Sequence, residues 1–213
     1  MTAAARTFHR STGAILALML LLQACAEAPV PKPPPPASAA QQCLNDLDAR
    51  GVEYLAAAVP ASTAACTIDN PVRVQRESVA FNQPVLMSCA LADELDRFIR
   101  EAAEPLAEKY LGQRLARLDH MGAYSCRRET GQAGRWSEHA TGRAIDVSGF
   151  VLADGQRVDV VHDWRRAGKK REFLYAVAKR ACDYFSVVLT PDYDSHHYNH
   201  LHLDIGRYRL CTA

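Results

Sequence analysis

The cysteine pattern constrains the fold of this 213-residue chain more than any other feature. Apart from Cys25, the cysteines form an even set without a CxxC spacing, namely Cys43, Cys66, Cys89, Cys126, Cys182 and Cys211. In an oxidising compartment such a set forms disulfides, and its spacing is not that of a zinc–thiolate site. We therefore predict three disulfides, which pair Cys43 with Cys66, Cys89 with Cys126, and Cys182 with Cys211.

Residues 1–25 are typical of an export signal, and therefore of an oxidising destination. Arg6 and Arg10 precede an apolar run, GAILALMLLLQ, that is too short to span a bilayer comfortably. LQAC follows at once and resembles the bacterial lipobox, so we predict that Cys25 is lipidated and anchors the protein to a membrane. Ordinary signal-peptidase cleavage is the alternative, because Gln23 is unusual at the second lipobox position. Ala26 after the cysteine favours the outer membrane, with the protein facing the periplasm.

A composition change separates this signal from the folded part of the chain. Residues 26–41, AEAPVPKPPPPASAAQ, are rich in Pro and Ala and contain almost no large apolar side chain. Such a segment cannot bury enough surface to fold, so we predict a semi-rigid tether ahead of one domain at residues 42–213. The formal net charge of +1 gives no indication of a nucleic-acid partner.

The domain combines amphipathic helices with short strands. Apolar residues recur at helical spacing between Ser88, the expected N-cap, and Gly112, the expected stop, and again over residues 171–185. Strand-like runs are RLARLDHM, GAYSCR, RAIDVSGF, QRVDVVH, FSVVLT and HLHLDIG. Asp154 and Gly155 predict a hairpin turn between the third and fourth of these runs. The sequence thus predicts an α+β fold, in which helices flank a small, largely antiparallel sheet stapled by disulfides.

Residues of metal-ligand type cluster in two places. If HLHLDIG is a strand, its period of two puts His200, His202 and Asp204 on one face, while the leucines between them face the core. Upstream, His139 precedes a Gly-containing turn, and Asp146 lies in the strand that follows it. Small residues beside Asp146 leave room for a bulky group over that face.

These residue types fit a catalytic zinc site. Such a site takes three protein ligands from His and Asp or Glu, and keeps a fourth position open for water. His139, Asp146 and one of the pair His200 and His202 fulfil this requirement. The other histidine of the pair would then move a proton or stabilise a developing oxyanion. The residues alone leave open which of the two is the ligand.

The motifs also resemble a known family. SEHATGRAID, from Ser137 to Asp146, resembles the SxHxxGxAxD motif of the zinc D-Ala-D-Ala metallopeptidases, and HLH is similar to the HxH element of lysostaphin-type peptidases and hedgehog proteins. Within that group, the chain from about Cys43 onward most resembles the bacterial extensin-like C-terminal domain family. The resemblance extends to YSCR, DW, FL, AC, PDY and HLHLD.

The resemblance implies a role for individual residues. It implies that His139, Asp146 and His202 bind Zn²⁺, and that His200 is the catalytic acid or base. Ser137, which matches the serine of the motif, would support the ligands through hydrogen bonds.

Two further residues complete the expected site. Arg127, in YSCR, would hold a substrate carboxylate or polarise the scissile carbonyl, since a guanidinium offers a bidentate fork. A surface arginine beside a disulfide is the alternative. Asn199 stands where the D-Ala-D-Ala enzymes have a glutamate base, three residues before His202. Proton transfer would therefore fall to His200 or to His197, which is otherwise a loop residue.

Export signal, tether and motifs together imply a function in the bacterial cell envelope. The expected protein is a zinc-dependent peptidase that acts on the stem peptides or cross-links of peptidoglycan, as a carboxypeptidase or an endopeptidase. The alternative is a non-catalytic, zinc-containing module on the same scaffold that binds the cell wall or another partner.

Overall fold

The computed structural model describes residues 1–2, 38–59, 63–129 and 132–213. Residues 37–213 form one compact unit, to which all the elements below belong. The predicted lipidation site Cys25, with nearly all of the predicted signal peptide and most of the predicted tether, lies outside the described residues. In the described part of the chain, no helix is both long enough and apolar enough to cross a membrane.

A mixed sheet organises this unit. Its strands are β1 (Glu53–Ala56), β2 (Pro71–Arg76), β3 (Ala80–Ser88), β4 (Leu115–Gly122), β7 (Ala144–Leu152), β8 (Arg157–Asp159), β9 (Val187–Leu189), β10 (Leu201–Asp204) and β11 (Leu210–Cys211). Their order is β1-β2-β3-β4-β7-β10-β9-β11, with β8 paired to β7, and β5 (Arg128–Glu129) forms a separate pair with β6 (Gln132–Trp136). Within the large sheet only β3–β4 and β9–β11 pair in parallel. The predicted α+β fold with a largely antiparallel sheet is confirmed.

Helices pack beside this sheet. They are α1 (Ala39–Arg50), α2 (Cys89–Phe98), α3 (Glu104–Leu111), α4 (Val160–Asp163) and α5 (Lys169–Ala181). The first predicted helix is confirmed as α2 and α3, joined by a π-helical turn ahead of Pro105, which has no N–H to donate. Ser88 caps it as predicted, since its Oγ accepts the N–H of Leu91 at 3.2 Å. Gly112 ends it with a φ of 67°, in the left-handed region that favours glycine.

Several boundaries differ from the sequence prediction. Helix α1 begins at Ala39, inside the predicted tether, because Ser38 caps it. Helix α5 ends at Ala181, where the chain turns toward β9, rather than at residue 185. The predicted hairpin at Asp154 and Gly155 is confirmed, but QRVDVVH is strand only as far as Asp159, which caps α4. GAYSCR was wrong as a strand: after Gly122 its backbone hydrogen bonds to the turn that carries His139 instead of to a neighbouring strand.

Two of the three predicted disulfide pairings were also wrong. Cys43 bonds to Cys89 and Cys66 bonds to Cys126, whereas the pair Cys182–Cys211 is as predicted. Helix α1 packs along α2, which places the Cα atoms of Cys43 and Cys89 6.2 Å apart. Cys66 lies beside the segment after β4, whose Tyr124 hydroxyl donates to the Cys66 carbonyl at 3.0 Å. Tertiary packing, not sequence proximity, therefore selects the partners.

The hydrophobic core lies between the sheet and the helices. Phe150 of β7 packs edge-on against Phe173 of α5, with ring centroids 5.3 Å apart, and both side chains are fully buried. Burial of each such side chain contributes about 1.5–3 kcal/mol. Leu201 and Leu203 of β10 also belong to this core. The intervening His202 therefore faces away from the core, as the period of two predicts.

One carboxyl group is buried outside any site that the sequence predicts. Glu77 follows β2, is 2 % exposed, and neither of its carboxyl oxygens has a hydrogen-bond partner among the described residues. Burial, reinforced by the nearby charge of Asp96, raises the pKa of Glu77 well above its usual range. Asp96 is also buried but, unlike Glu77, it has partners, because Arg50 and Arg100 both pair with its carboxylate, at 2.8 and 2.9 Å. Burial without a hydrogen-bond partner therefore favours the protonated form of Glu77 in the folded protein.

Candidate metal centre

Three elements bring the predicted metal ligands together. Asp146 lies on β7 and His202 on β10, and the antiparallel register places these two residues directly opposite each other. His139 lies in a 3₁₀ turn, Glu138–Thr141, that ends at Gly142 with a φ of 63°. A Cβ atom at position 142 would also lie 3.1 Å from the backbone nitrogen of Ser88. Glycine is thus needed at 142, both for its backbone conformation and for the close approach of α2.

The three side chains point one atom each at a common centre. His139 Nε2 lies 3.1 Å from Asp146 Oδ1 and 3.2 Å from His202 Nδ1. His202 Nδ1 lies 3.0 Å from Asp146 Oδ1. His139 is 2 % exposed, and the other two residues are partly buried. This group can hold a metal ion.

Other acceptors fix the tautomer of each imidazole. His139 Nδ1 lies 2.8 Å from the carbonyl of Ala123, which has no proton to give, so Nδ1 carries the hydrogen. His202 Nε2 lies 3.2 Å from Asp204 Oδ2, to which it likewise donates. In the neutral rings, His139 Nε2 and His202 Nδ1 therefore present lone pairs to the Asp146 carboxylate. Such outer acceptors orient metal-binding histidines in proteins generally.

The spacing of these atoms suits a small cation. Tetrahedral zinc with N and O ligands has bonds of about 2.0–2.1 Å, which separates its ligand atoms by about 3.3 Å. The observed separations of 3.0–3.2 Å are close to that edge length. Three acceptor atoms at this distance repel one another unless a proton or a cation lies among them.

The electrostatics of the group reflect the same crowding. Burial opposes a charge on Asp146, but hydrogen bonds with His139 and His202 outweigh it and lower the Asp146 pKa well below its usual range. Burial also opposes protonation of His202, yet its bonds to Asp146 and Asp204 raise its pKa to about 9. Without a metal, a proton on His202 therefore partly compensates the two carboxylates.

His200 lies at the edge of the group. Its Nε2 is 3.4 Å from Asp146 Oδ1, and its Nδ1 donates to the side-chain oxygen of Asn199 at 2.9 Å. Burial lowers the pKa of His200 to about 4, despite the attraction of Asp146. The structure thus groups His202, rather than His200, with His139 and Asp146. His200 is left neutral at pH 7, with an unprotonated Nε2 facing the centre.

His197 lies next to His200 on the loop before β10. Their ring centroids are 5.2 Å apart, and the His197 ring lies 5.9 Å from that of His202. Asp194 orients His197, since its Oδ1 accepts from Nδ1 at 2.7 Å and from the backbone N–H at 3.2 Å. His197 Nε2 is therefore the nitrogen that remains free for other contacts.

The remaining predicted site residues lie farther out. Ser137 is buried, and its Oγ accepts the backbone N–H of His139 at 3.3 Å, so it holds the turn rather than a ligand ring. Arg127 is exposed, and its carbonyl accepts the N–H of Ser137 at 3.2 Å. In the described part of the chain, no hydrogen bond joins its guanidinium to the metal-ligand group.

Sequence reasoning missed two contributors to this centre. Asp204 was placed on the histidine face but was given no role, although it is 5 % exposed and fixes the tautomer of His202. The carbonyl of Ala123 orients His139, and no side-chain pattern reveals a backbone acceptor. The alternation in HLHLD was the one signal that pointed to Asp204.

Residues 41–212 match the protein family described as Extensin-like protein C-terminus. The chain belongs to this extensin-like family. No curated protein and no solved structure matches the chain. The match contains the whole metal-ligand group, so this group lies within the extensin-like domain and not in an added segment.

Proposed function

We propose that this extensin-like protein is a zinc-dependent peptidase that acts on the stem peptides or cross-links of peptidoglycan. The observation that carries the proposal is the convergence of two imidazole nitrogens and one carboxylate oxygen within 3.0–3.2 Å. The other nitrogen of each ring donates its hydrogen away from the centre, His139 Nδ1 to the carbonyl of Ala123 and His202 Nε2 to Asp204. The site is thus built to hold a cation and keeps this geometry through its own outer contacts.

The identity of the ligands favours zinc. Two nitrogens and one carboxylate oxygen form the three-ligand set of catalytic zinc sites, in which a fourth position stays open. The similarity of SEHATGRAID to the D-Ala-D-Ala metallopeptidases, and of HLH to lysostaphin-type peptidases, supports the same ion and the same reaction class. When bound, zinc supplies Lewis acidity, which polarises a carbonyl and makes a nucleophile of water near neutral pH.

The chain's own residues would supply proton transfer and substrate positioning. His200 is neutral at pH 7 and presents Nε2 toward Asp146, so we assign it the role of accepting a proton from the attacking water and passing it to the leaving amine. His197, held by Asp194, is the second candidate for this role. The exposed guanidinium of Arg127 would hold a substrate carboxylate through a bidentate pair.

One observation favours a second function. Asn199 occupies the position of the glutamate base of the D-Ala-D-Ala enzymes, and its side-chain oxygen is used to hold His200 Nδ1. A protein without that carboxylate can still bind zinc and a wall peptide. The second candidate is therefore a non-catalytic, zinc-containing module that binds the cell wall or another partner, as hedgehog relatives of the scaffold suggest.

The proposed location follows from the N-terminal sequence. A lipid on Cys25 would anchor the protein to the outer membrane, and the Pro-rich tether would let the domain reach peptidoglycan from the periplasmic side. The peptide part of peptidoglycan is then the partner, and the balanced charge gives no reason to expect nucleic acid.

The test is mass spectrometry of muropeptides after incubation of purified peptidoglycan with the zinc-loaded chain in detergent. His139→Ala, which lacks one ligand, is the blank. New peptide fragments that are absent from the blank would establish the peptidase, and their masses would identify the bond. One bound zinc per chain without new fragments would instead favour the binding module, which cosedimentation with peptidoglycan then tests.

A further inference from the structure

Two short motifs that lie outside the metal centre meet in space. Trp164, of the DW motif, donates its Nε1–H to Asp192 Oδ2 of the PDY motif at 3.0 Å. Tyr175 of α5 donates its hydroxyl to the same oxygen at 3.2 Å. The Trp164 and Tyr175 rings stack, with centroids 4.3 Å apart and planes 21° apart, and Trp164 is 2 % exposed. Asp192 is thus held by two donors whose rings stack on each other, one of them the buried Trp164.

Further bonds fix the side chain of Asp192 and the backbone just before it. Arg165 pairs with Asp192 Oδ1 at 3.2 Å and donates to the carbonyl of Pro191 at 3.0 Å. Thr190 donates its N–H to Thr212 Oγ1 at 3.1 Å, and its hydroxyl donates to the Thr212 carbonyl at 3.2 Å. Residues 190–192 are therefore tied both to the segment after α4 and to Thr212, which follows β11. We call the set Trp164, Arg165, Tyr175 and Asp192 the latch.

The segment between the latch and β10, residues 193–200, contains His197 and His200, which lie beside the metal-ligand group. Residues 193–199 contain one 3₁₀ turn, in which Asp194 Oδ1 accepts from the N–H of His196 at 2.8 Å and also binds the His197 ring. Most side chains of this loop are exposed, and none is fully buried. Because this loop buries so little surface, its conformation depends on these internal bonds and on the anchors at its ends. Its anchors are the latch at one end and β10 at the other.

We propose that Asp192 is a positioning residue that, through the latch, holds the loop of residues 193–199, so that His197 within the loop and His200 directly after it lie beside the metal centre. The metal ligands themselves do not depend on the loop, since His139 follows β6 and Asp146 and His202 lie in β7 and β10. Loosening the latch therefore displaces the two histidines and leaves metal binding intact. The kinetic consequence rests on the proposed peptidase function, whereas the positioning does not.

Two conservative variants of the zinc-loaded full chain test this proposal. Trp164→Phe removes the N–H together with part of the indole and keeps an aromatic ring against Tyr175, and Asp192→Asn keeps the shape but replaces one acceptor oxygen with an amide nitrogen. Asp183→Asn is the matched control, because Asp183 is an exposed aspartate just after α5 whose partner is the nearby Arg180. Hydrogen exchange by mass spectrometry, imidazole ¹⁵N NMR signals, zinc stoichiometry and muropeptide turnover are measured for each protein.

In both latch variants, we expect faster exchange confined to residues 190–200 and shifted ring signals of His197 and His200. Zinc stoichiometry and the signals of His139 and His202 stay at wild-type values, and kcat falls about 10- to 100-fold with little change in KM. The control resembles wild type in every measurement.

Two results would overturn the positioning role. In one, exchange and the His197 and His200 signals are unchanged in both latch variants, whether or not wild type turns over. In the other, exchange rises throughout the sheet, which would make the latch a general stabilising contact. If the loop signals respond as expected but wild type releases no fragments, the proposed peptidase fails while the positioning role stands.

Discussion

Replacing Asp204 by Asn is expected to weaken zinc binding although this residue is not itself a ligand. Both carboxylate oxygens are used: Oδ2 accepts from His202 Nε2 at 3.2 Å and Oδ1 accepts the N–H of Gly206 at 2.8 Å. Asn has only one oxygen, so its NH₂ group must face one of these two donors. The His202 ring then loses either its orientation or its preferred tautomer.

The size of the effect follows from this geometry. Loss of an outer contact to a metal-binding histidine lowers metal affinity about 10- to 100-fold, which equals about 1.4–2.7 kcal/mol. At equal saturating zinc, the stabilisation of the folded state by zinc falls by the same amount. For a domain of this size, that corresponds to a drop of about 3–11 °C in the zinc-dependent part of Tm.

The assay compares zinc affinity, from competition with a chromophoric chelator, and the difference in Tm with and without zinc. The substitution also removes the Gly206 contact, which lowers the Tm of the zinc-free and the zinc-bound protein alike. This loss cancels in the difference between the two Tm values. Asp154→Asn is the control, because Asp154 is exposed in the β7–β8 turn, away from the centre. A zinc affinity within twofold of wild type in Asp204→Asn would refute the argument that Asp204 orients His202.

Three more predictions concern the site, the buried acid and the disulfides. His200→Ala should keep one zinc per chain and lose turnover, whereas His139→Ala should lose both. Inductively coupled plasma mass spectrometry measures the zinc, and the muropeptide assay measures turnover. Loss of zinc in both variants would contradict the division into ligand and proton-transfer residue. Because burial raises the pKa of Glu77, the folded state holds a proton that the unfolded chain releases above its ordinary pKa of 4.5, so wild-type stability should fall as pH rises above that value. The free energy of unfolding, measured in urea at several pH values, should show this decrease in wild type and not in Glu77→Gln. An equal pH dependence in both proteins would contradict the argument. Removing the Cys66–Cys126 bond, which spans 60 residues, by a double Ala substitution should cost about 4 kcal/mol in urea unfolding, and non-reducing peptide mapping should recover the bonded pair from wild type.

Local sequence patterns predicted the elements that depend on neighbouring residues. The alternation in HLHLD places His202 on the face opposite the core leucines because a strand has a period of two. Ser88 and Gly112 mark the ends of the long helical segment because a hydroxyl cap and a left-handed glycine are local requirements. The Asp154–Gly155 turn is equally local.

Features that depend on distant packing could not be predicted in this way. Cys43 bonds to Cys89 because α1 lies along α2, and nothing in the spacing of the cysteines encodes that packing. GAYSCR has the composition of a strand, but its first carbonyl after Gly122 is needed by His139, so the segment turns around the metal centre. Trp164 and Asp192 likewise meet only after α5 has folded back.

The metal centre shows why a ligand motif alone does not define a site. His139 presents Nε2 to the centre and His202 presents Nδ1, although either nitrogen of an imidazole can bind a metal. The second nitrogen of each ring decides which one faces the centre, because it donates to the Ala123 carbonyl in His139 and to Asp204 in His202. Because two tautomers must be correct at once, two acceptors from separate parts of the chain must both be in place. A chain with the same motif but without these acceptors would present an N–H to the metal, and would bind it more weakly.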